Sequence, residues 1–237
     1  VNTAASLGDL DMLRFFEDKF GLDMGYEAVR ELPDHDLTTS PFASACHNGH
    51  HKIVDYFLSR LFEFGYVRSY GSDDDSIGPD HYGHSDAIGE CLVKATVTGD
   101  TDMLRIFINR GADLDHEIKM SVYPPLPLLA VQPPKVLKTK FQDSVYGPFK
   151  TVQEKHSVLK VLLREGRVNV DAPDPRGTCA IHVAAYWASV DAVRELCRAR
   201  ANPAFRGADH THFAGDALTV ALRGREDFPP KYCAPAR

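Results

Sequence analysis

Residues 174–203, DPRGTCAIHVAAYWASVDAVRELCRARANP, contain two short helical patterns that are joined by a tight turn. The first pattern includes the small pair Ala184 and Ala185, which would let its helix approach a neighbouring helix closely. The second pattern places Val193 and Leu196 three residues apart, so that both lie on one apolar helix face. One helix pair of this size cannot bury such a face. The stretch therefore predicts further helix pairs that stack on it.

This stretch resembles one ankyrin repeat, whose family pattern is D-x-x-G-x-T-P-L-H-x-A-A-x-x-G-H-x-x-I/V-V-x-x-L-L-x-x-G-A-D/N. The residues that agree with the pattern are Asp174, Gly177, Ile181, His182, Ala184, Ala185, Val193, Leu196, Ala201 and Asn202. Cys179, Ala180 and Ala188 stand where the family has Thr, Pro and Gly. Clear matches recur in SPFASACHNGHHKIVDYFLSR, from residue 40, and in CLVKATVTGDTDMLRIFINRGADLD, from residue 91. Looser matches begin at residues 4 and 124.

The resemblance implies an all-α fold, an ankyrin-repeat solenoid of about five helix pairs with a closing half repeat. We expect helix pairs near residues 4–20, 40–61, 90–110, 124–164 and 179–200, and a closing helix near 216–224. The chain 1–237 would be a single ankyrin-repeat domain. Its units would lie near 1–32, 38–60, 88–115, 124–171 and 174–205, with the half unit at 214–226.

Two long stretches interrupt the repeat pattern. Residues 61–86 are dense in Gly, Asp, Ser and aromatic residues, and residues 132–152 stand where a tight turn is expected. Both are predicted to be inserted loops, because they carry turn residues without helical periodicity. Turn signals at Gly21, Gly25 and Pro33 predict a shorter insertion after the first helix pair.

The amino-acid composition indicates the class of protein and which partners are not expected. With 43% hydrophobic and 25% charged residues, the 237-residue chain is typical of a folded globular protein. Its net charge of −6 offers no general basic field, so neither nucleic acid nor an anionic membrane is an expected partner. The sequence has no apolar run long enough to span a bilayer and no secretory signal at its start. We expect an intracellular protein, cytoplasmic or nuclear, that is a segment of a longer chain.

The cysteines and histidines do not form a metal-site pattern. The five cysteines are odd in number and lack C-x-x-C spacing, so neither a disulfide framework nor a zinc knuckle is predicted, and most should be buried reduced thiols. Among the eleven histidines, His47 and His51 are four residues apart, but Gly49 between them opposes a helix there. His50 and His182 are expected to be structural, bonding nearby backbone. No metal and no cofactor are predicted.

Function is inferred from the resemblance. Stacked helix pairs leave an extended concave face, made of first helices and loops, which such solenoids present to partners. The resemblance therefore implies a protein-binding scaffold or regulator without catalysis. The predicted partner-binding residues are His47, Asn48 and His51, in the loop of the second unit, and Trp187, at the turn of the fifth. For Trp187 the alternative is a structural role, in which its ring packs against an insertion.

An alternative function comes from the two long insertions. Together they supply acid and base groups, of which His81, Tyr82, His84 and Tyr146 are the candidate catalytic residues. If the insertions fold over the concave face, they would close a pocket that binds a small molecule. The chain would then be an unusual small-molecule enzyme, such as a cyclase, isomerase or dehydratase.

Overall fold

The computed structural model describes residues 1–29, 40–63, 82–115, 118, 124–131, 152–207 and 213–227. This part of the chain is built of α-helices, and its β structure is limited to isolated bridges such as the antiparallel one between Gly207 and Gly215. The all-α prediction is confirmed for these residues. They fall into two compact units, which we describe separately.

Unit 1 contains the helices of the first half of the chain: α1 (Asn2–Leu7), α2 (Leu10–Phe20), α3 (Met24–Val29), α4 (Pro41–His47), α5 (His51–Glu63), α6 (Tyr82–Thr98) and α7 (Thr101–Arg110). The last turn of α6 is counted with unit 2. The further helices of unit 2 are α8 (Leu126–Val131), α9 (Val152–Arg164), α10 (Ala180–Tyr186), α11 (Val190–Arg198) and α12 (Ala217–Asp227). Among all of these, none has the length and apolar character that crossing a membrane requires.

Two of the tight turns share a Gly-Asp sequence. Gly8 ends α1 with φ of 81°, and Gly99 follows α6 with φ of 83°, the left-handed conformation in which glycine is least strained. The next residue begins the second helix, because the Asp9 or Asp100 carboxylate accepts a hydrogen bond from the backbone N–H three residues on, at 2.9 and 3.0 Å. These local signals produce a helix, a short loop and a second helix.

The sequence does not predict the helix α3, because Gly25 indicates a turn. The Asp23 carboxylate accepts a hydrogen bond from the Gly25 N–H at 2.9 Å and so begins a short helix. Met24, Ala28 and Val29 are buried, and α3 packs against α4 and α5. Burial of this apolar face outweighs the low helix propensity of one glycine.

The boundaries of the inserted loop 61–86 are also corrected. Residues 61–63 continue α5, where Leu61 is fully buried together with Phe57 and Leu58. At the other end, residues 82–86 already belong to α6, whose apolar residues Ala87 and Ile88 are buried. Helix propagation is favourable once a buried apolar face is available, so both helices extend into the stretch.

The cysteine prediction is wrong at one pair. Cys46 on α4 and Cys91 on α6 form a disulfide, with their Cα atoms 5.8 Å apart. The parity of the cysteine count and the absence of C-x-x-C carry no information on residues that folding brings together. Of the free thiols, Cys179 is buried as expected, whereas Cys197 is exposed. Burial is the largest cause that raises the pKa of Cys179 to about 12, with Asp171 and Asp174 adding to it. Cys233 lies outside the described residues.

Polar contacts join α2, α5 and α7 in unit 1. The Tyr56 hydroxyl donates to Glu17 at 2.5 Å, and the Arg60 guanidinium donates to the same carboxylate at 2.9 Å. Arg110 on α7 binds both carboxylate oxygens of Asp55 on α5, at 2.7 and 2.8 Å. Bidentate pairs of this kind fix the relative position of two helices. Several polar and charged side chains of α2, α5 and α7 are therefore engaged in contacts within the unit.

In unit 2, α10 is the central helix. It packs against α8, α11 and α12, while α9 packs against α8 and α11. Gly224 on α12 lies so close to α10 that a Cβ atom there would be 2.1 Å from the Tyr186 carbonyl oxygen. On the second helices, burial of the Glu195 carboxylate tends to raise its pKa, but hydrogen bonds from Arg164 and Arg198 outweigh this effect and lower the pKa.

Candidate interaction surface

The predicted partner-binding residues of unit 1 lie where α4 turns into α5, beside the start of α7 at Asp100. The His51 imidazole Nε2 is 3.0 Å from each carboxylate oxygen of Asp100. The same carboxylate begins α7 by accepting the Met103 N–H. Asp100 therefore orients His51 and ties the two turns together. We call His47, Asn48, His51, Lys94 and Asp100 the unit 1 loop surface.

Lys94 brings a positive charge to this surface from α6. Its ammonium group donates a hydrogen bond to the main-chain carbonyl oxygen of His47, the last residue of α4. Burial lowers the pKa of Lys94 to about 8, although the Asp100 carboxylate acts in the opposite direction. Burial and the Lys94 charge in turn lower the pKa of His47. At neutral pH the His47 ring is therefore neutral, with one nitrogen able to donate and the other able to accept.

Asn48 and His50 contact the preceding turn. The Asn48 amide nitrogen donates to the Ser44 carbonyl oxygen at 3.0 Å and lies 3.4 Å from the Ser6 hydroxyl. The His50 Nε2 atom is 2.9 Å from the Ser6 carbonyl oxygen, so this ring is structural, as expected. The structure thus brings His47, Asn48 and His51 together, and both Asn48 and His51 make hydrogen bonds within the unit. Their binding to a partner stays a prediction.

In unit 2, Trp187 ends α10 and belongs to an aromatic patch. Its ring meets Tyr186 edge to face, with centroids 5.3 Å apart and planes at 90°. Tyr186 meets Phe213 in the same manner at 5.4 Å. Trp187 and Tyr186 are partly exposed, and the neighbouring Val190 is 65% exposed. Ala188 has φ of 51°, which explains why the family pattern has glycine there. We call Tyr186, Trp187, Val190 and Phe213 the unit 2 aromatic patch.

His182 is structural, which agrees with its expected role. Its Nδ1 atom accepts the backbone N–H of Cys179 at 3.1 Å, which leaves the proton on Nε2. Nε2 therefore donates to the Phe205 carbonyl oxygen, 2.8 Å away. The ring is fully buried and both nitrogens are occupied. His182 holds the start of α10 and is not part of the candidate surface.

The candidate catalytic residues are not tested by this geometry. Tyr82 and His84 lie at the start of α6, but their side chains are outside the described part, as are His81 and Tyr146 altogether. Across the described ranges, no group of three or more His, Cys, Asp or Glu side chains is placed to hold a metal ion. The small-molecule enzyme therefore stays a prediction.

Several residues of the two surfaces were not predicted. Asp100 could have been found from the Gly-Asp turn, because that sequence marks a helix start. Lys94, Tyr186 and Phe213 carry no such signal. Whether these side chains belong to a surface depends on where each one lies in the folded chain. This position is set by the packing of helices that are distant in sequence.

Comparison with known proteins gives one limited match. No protein-family model matches the chain. Over 40 residues, the chain is 52% identical to Ankyrin repeat domain-containing protein 29 from Homo sapiens. The match covers 17% of this chain and 13% of that protein, so the chain is similar to a short part of its relative. The similarity supports ankyrin-like features in this chain, at the scale of about one repeat.

Proposed function

We propose that the chain is a protein-binding scaffold or regulator of the ankyrin type, whose partner surface is formed by the inter-helix loops. The observation that carries the proposal is the partly exposed Trp187, held at the end of α10 beside the exposed Val190. A large, well-supported aromatic side chain next to exposed apolar surface is typical of binding hot spots. The ankyrin-like match to a human repeat protein supports the same class of function.

The support around Trp187 favours binding. Tyr186 packs edge to face against Trp187, and Phe213 packs in the same way against Tyr186, so the Trp187 ring loses little freedom when a partner covers it. Binding at this ring therefore loses less conformational entropy than binding at a mobile loop would. Aromatic residues combine large contact area with few rotatable bonds, which is why they dominate hot spots.

The unit 1 loop surface offers a different chemistry. The neutral His47 ring, the Asn48 side-chain amide and the charged Lys94 side chain bring polar groups to a turn that Asp100 braces. Polar groups of this kind contribute specificity more than affinity. By contrast, the second helices α2, α5 and α7 use their charged residues in internal pairs. The loops are therefore the better partner surface.

The test compares loop variants with a second-helix variant in partner capture. The intact chain, Trp187→Ala, His47→Ala and the control Arg105→Ala on α7 are used as bait in cells that express the protein, and captured proteins are quantified by mass spectrometry. Candidate partners are then purified and titrated by calorimetry. We expect Trp187→Ala to weaken binding about thirtyfold, because hot-spot truncations cost about 2 kcal/mol or more, and Arg105→Ala to leave it unchanged.

Thermal melts of each variant guard against a trivial loss of folding. A purified partner whose affinity falls equally with Arg105→Ala and with Trp187→Ala would contradict the proposed surface. The proposal would also be contradicted if none of the captured proteins, once purified, bound directly to the chain.

A further inference from the structure

We propose that the Cys46–Cys91 disulfide is a redox-sensitive clamp on the unit 1 loop surface, which a dithiol reductant of the thioredoxin class opens. The clamp would keep the turn after α4 and the start of α7 at Asp100 in one arrangement while the disulfide is intact. This inference deepens the proposed function, since its biological meaning rests on the loops being the partner surface. The effect of the disulfide on the turns can be measured without any partner.

The position of the disulfide is the first argument. Cys46 directly precedes His47, the residue that ends α4, and Cys91 lies one helical turn before Lys94 on α6. The covalent bond and the hydrogen bond from Lys94 to the His47 carbonyl oxygen therefore join the same two helices at adjacent levels. A bond between the sulfurs fixes how far the Lys94 ammonium group must reach.

The weakness of the neighbouring contacts is the second argument. The Lys94 hydrogen bond and the pair between His51 and Asp100 are polar contacts at these turns. Both groups are partly exposed, and polar pairs at such positions contribute little to stability. The disulfide is the covalent tie among them, and it closes a segment of 45 residues that contains α5. Its loss would remove the covalent restraint on the arrangement of the turns.

The chemistry requires an external reductant and is balanced with one. A thiolate of the reductant attacks one sulfur, the bond between Cys46 and Cys91 breaks, and a mixed disulfide forms. The second thiol of the reductant then displaces the protein sulfur. Both cysteines end as thiols, each having gained one hydrogen, while the reductant has become a disulfide.

Burial determines when this reaction can occur. The two cysteines are only 4% and 2% exposed, so the reductant reaches a sulfur when α4 and α6 separate locally. The predicted intracellular setting gives the reaction a role, because disulfides inside cells are usually transient or redox-sensing. A disulfide shielded in this way would be reduced when the turns that it holds together open locally.

The experiment measures amide hydrogen exchange of the whole chain before and after treatment with purified thioredoxin and its reducing system. We expect exchange at residues 47–51 and 99–100 to rise about tenfold on reduction, while residues 187–190 of unit 2 stay unchanged. The variant Cys46→Ala/Cys91→Ala should exchange like the reduced chain, and its exchange should not change when the reductant is added. Cys197→Ala, which removes an exposed free thiol, should behave like the unmodified chain.

A second readout follows the Lys94 amine itself. Its acetylation by acetic anhydride is measured against pH by peptide mass spectrometry, with the exposed Lys52 as an internal standard. In the oxidised chain the midpoint should lie near the pKa of about 8, and reduction should move it toward the ordinary value of 10.5 as the amine gains solvent.

Three outcomes would overturn the clamp. One is a disulfide that thioredoxin leaves intact while the chain stays folded, which would make it a permanent structural bond. Another is reduction without a change in exchange at either turn. The third is reduction that speeds exchange in both units alike, which would mean global unfolding. Because no partner takes part, failure of the proposed binding surface would appear separately, in the Trp187→Ala titration.

Discussion

The His50 imidazole Nε2 lies 2.9 Å from the Ser6 carbonyl oxygen, and the same ring covers Gly8. A Cβ atom at Gly8 would be 2.9 Å from two ring atoms, closer than ordinary packing allows. The φ of 81° at Gly8 also disfavours any side chain there. Glycine is therefore needed in this turn both for its backbone conformation and for the space that His50 occupies.

The first prediction separates these two requirements. Gly8→Ala is compared with Gly111→Ala, because Gly111 ends α7 with φ of 80° and has open space where its Cβ would lie. We expect Gly111→Ala to lower the free energy of unfolding by about 1–2 kcal/mol, the cost of a left-handed alanine. Gly8→Ala should cost a further 1 kcal/mol or so, through the clash with His50. Urea unfolding measures both, and equal losses would show that the His50 ring moves aside freely.

The second prediction concerns the small residues of α10. Ala184 is fully buried, so Ala184→Leu should overpack the helix and lower the free energy of unfolding by about 1–3 kcal/mol. Ala185 is partly exposed, so Ala185→Leu should cost less. Thermal melts of the two variants provide the comparison. If neither variant loses stability, the register of this helix pair is wrong.

The third prediction tests the contact between α10 and α12. Gly224→Ala would place a Cβ atom 2.1 Å from the Tyr186 carbonyl oxygen, so α12 must shift away from α10. The expected cost is about 1–3 kcal/mol of unfolding free energy. Leu222→Ala, on the same helix but 56% exposed, should change it by no more than about 0.5 kcal/mol. Denaturant unfolding that ranks Leu222→Ala as the more damaging change would contradict the packing.

The fourth prediction is a pH dependence that comes from Lys94. Its pKa is about 8 in the folded chain, against 10.5 for an ordinary lysine. Between these values the unfolded chain carries a proton on Lys94 that the folded chain has lost, so this residue makes stability rise with pH. The free energy of unfolding of the unmodified chain, relative to Lys94→Met, should therefore increase from pH 7 toward pH 9.

Other groups act in the opposite direction at higher pH. Cys179 and Tyr56 both have a pKa of about 12 in the folded chain, above ordinary values of 9.0 and 10.0, so each contributes stability that is lost as pH rises through these windows. The comparison with Lys94→Met cancels both contributions. Urea unfolding in which the two proteins have the same pH dependence would mean that Lys94 is solvated in the folded chain.

Much of the local structure could be predicted because its causes lie close together in the chain. The Ala pair and the apolar spacing in residues 174–203 predict the helices that appear as α10 and α11. Ser40 and Pro41 likewise start α4, where the Ser40 hydroxyl accepts the Ala43 N–H at 3.1 Å. Helix starts and ends depend on hydrogen bonds over three or four residues, and the sequence contains all of those partners.

The candidate surface was predictable only in part. His47, Asn48, His51 and Trp187 could be assigned to loops from the repeat pattern. Which of these side chains still offers hydrogen bonds to a partner depends on contacts such as that between His51 and Asp100, 49 residues apart. No local pattern encodes such a pair.

By itself, the sequence determined that the described chain is helical, where most of its helices begin and end, and that His182 has a structural role. The tertiary structure alone decided that Cys46 and Cys91 bond, that α3 forms despite Gly25, and that Lys94 reaches the end of α4. The physical reason is the range of the forces involved. Capping and periodicity act within a few residues, whereas burial and side-chain pairing depend on distances that exist only after distant helices have packed.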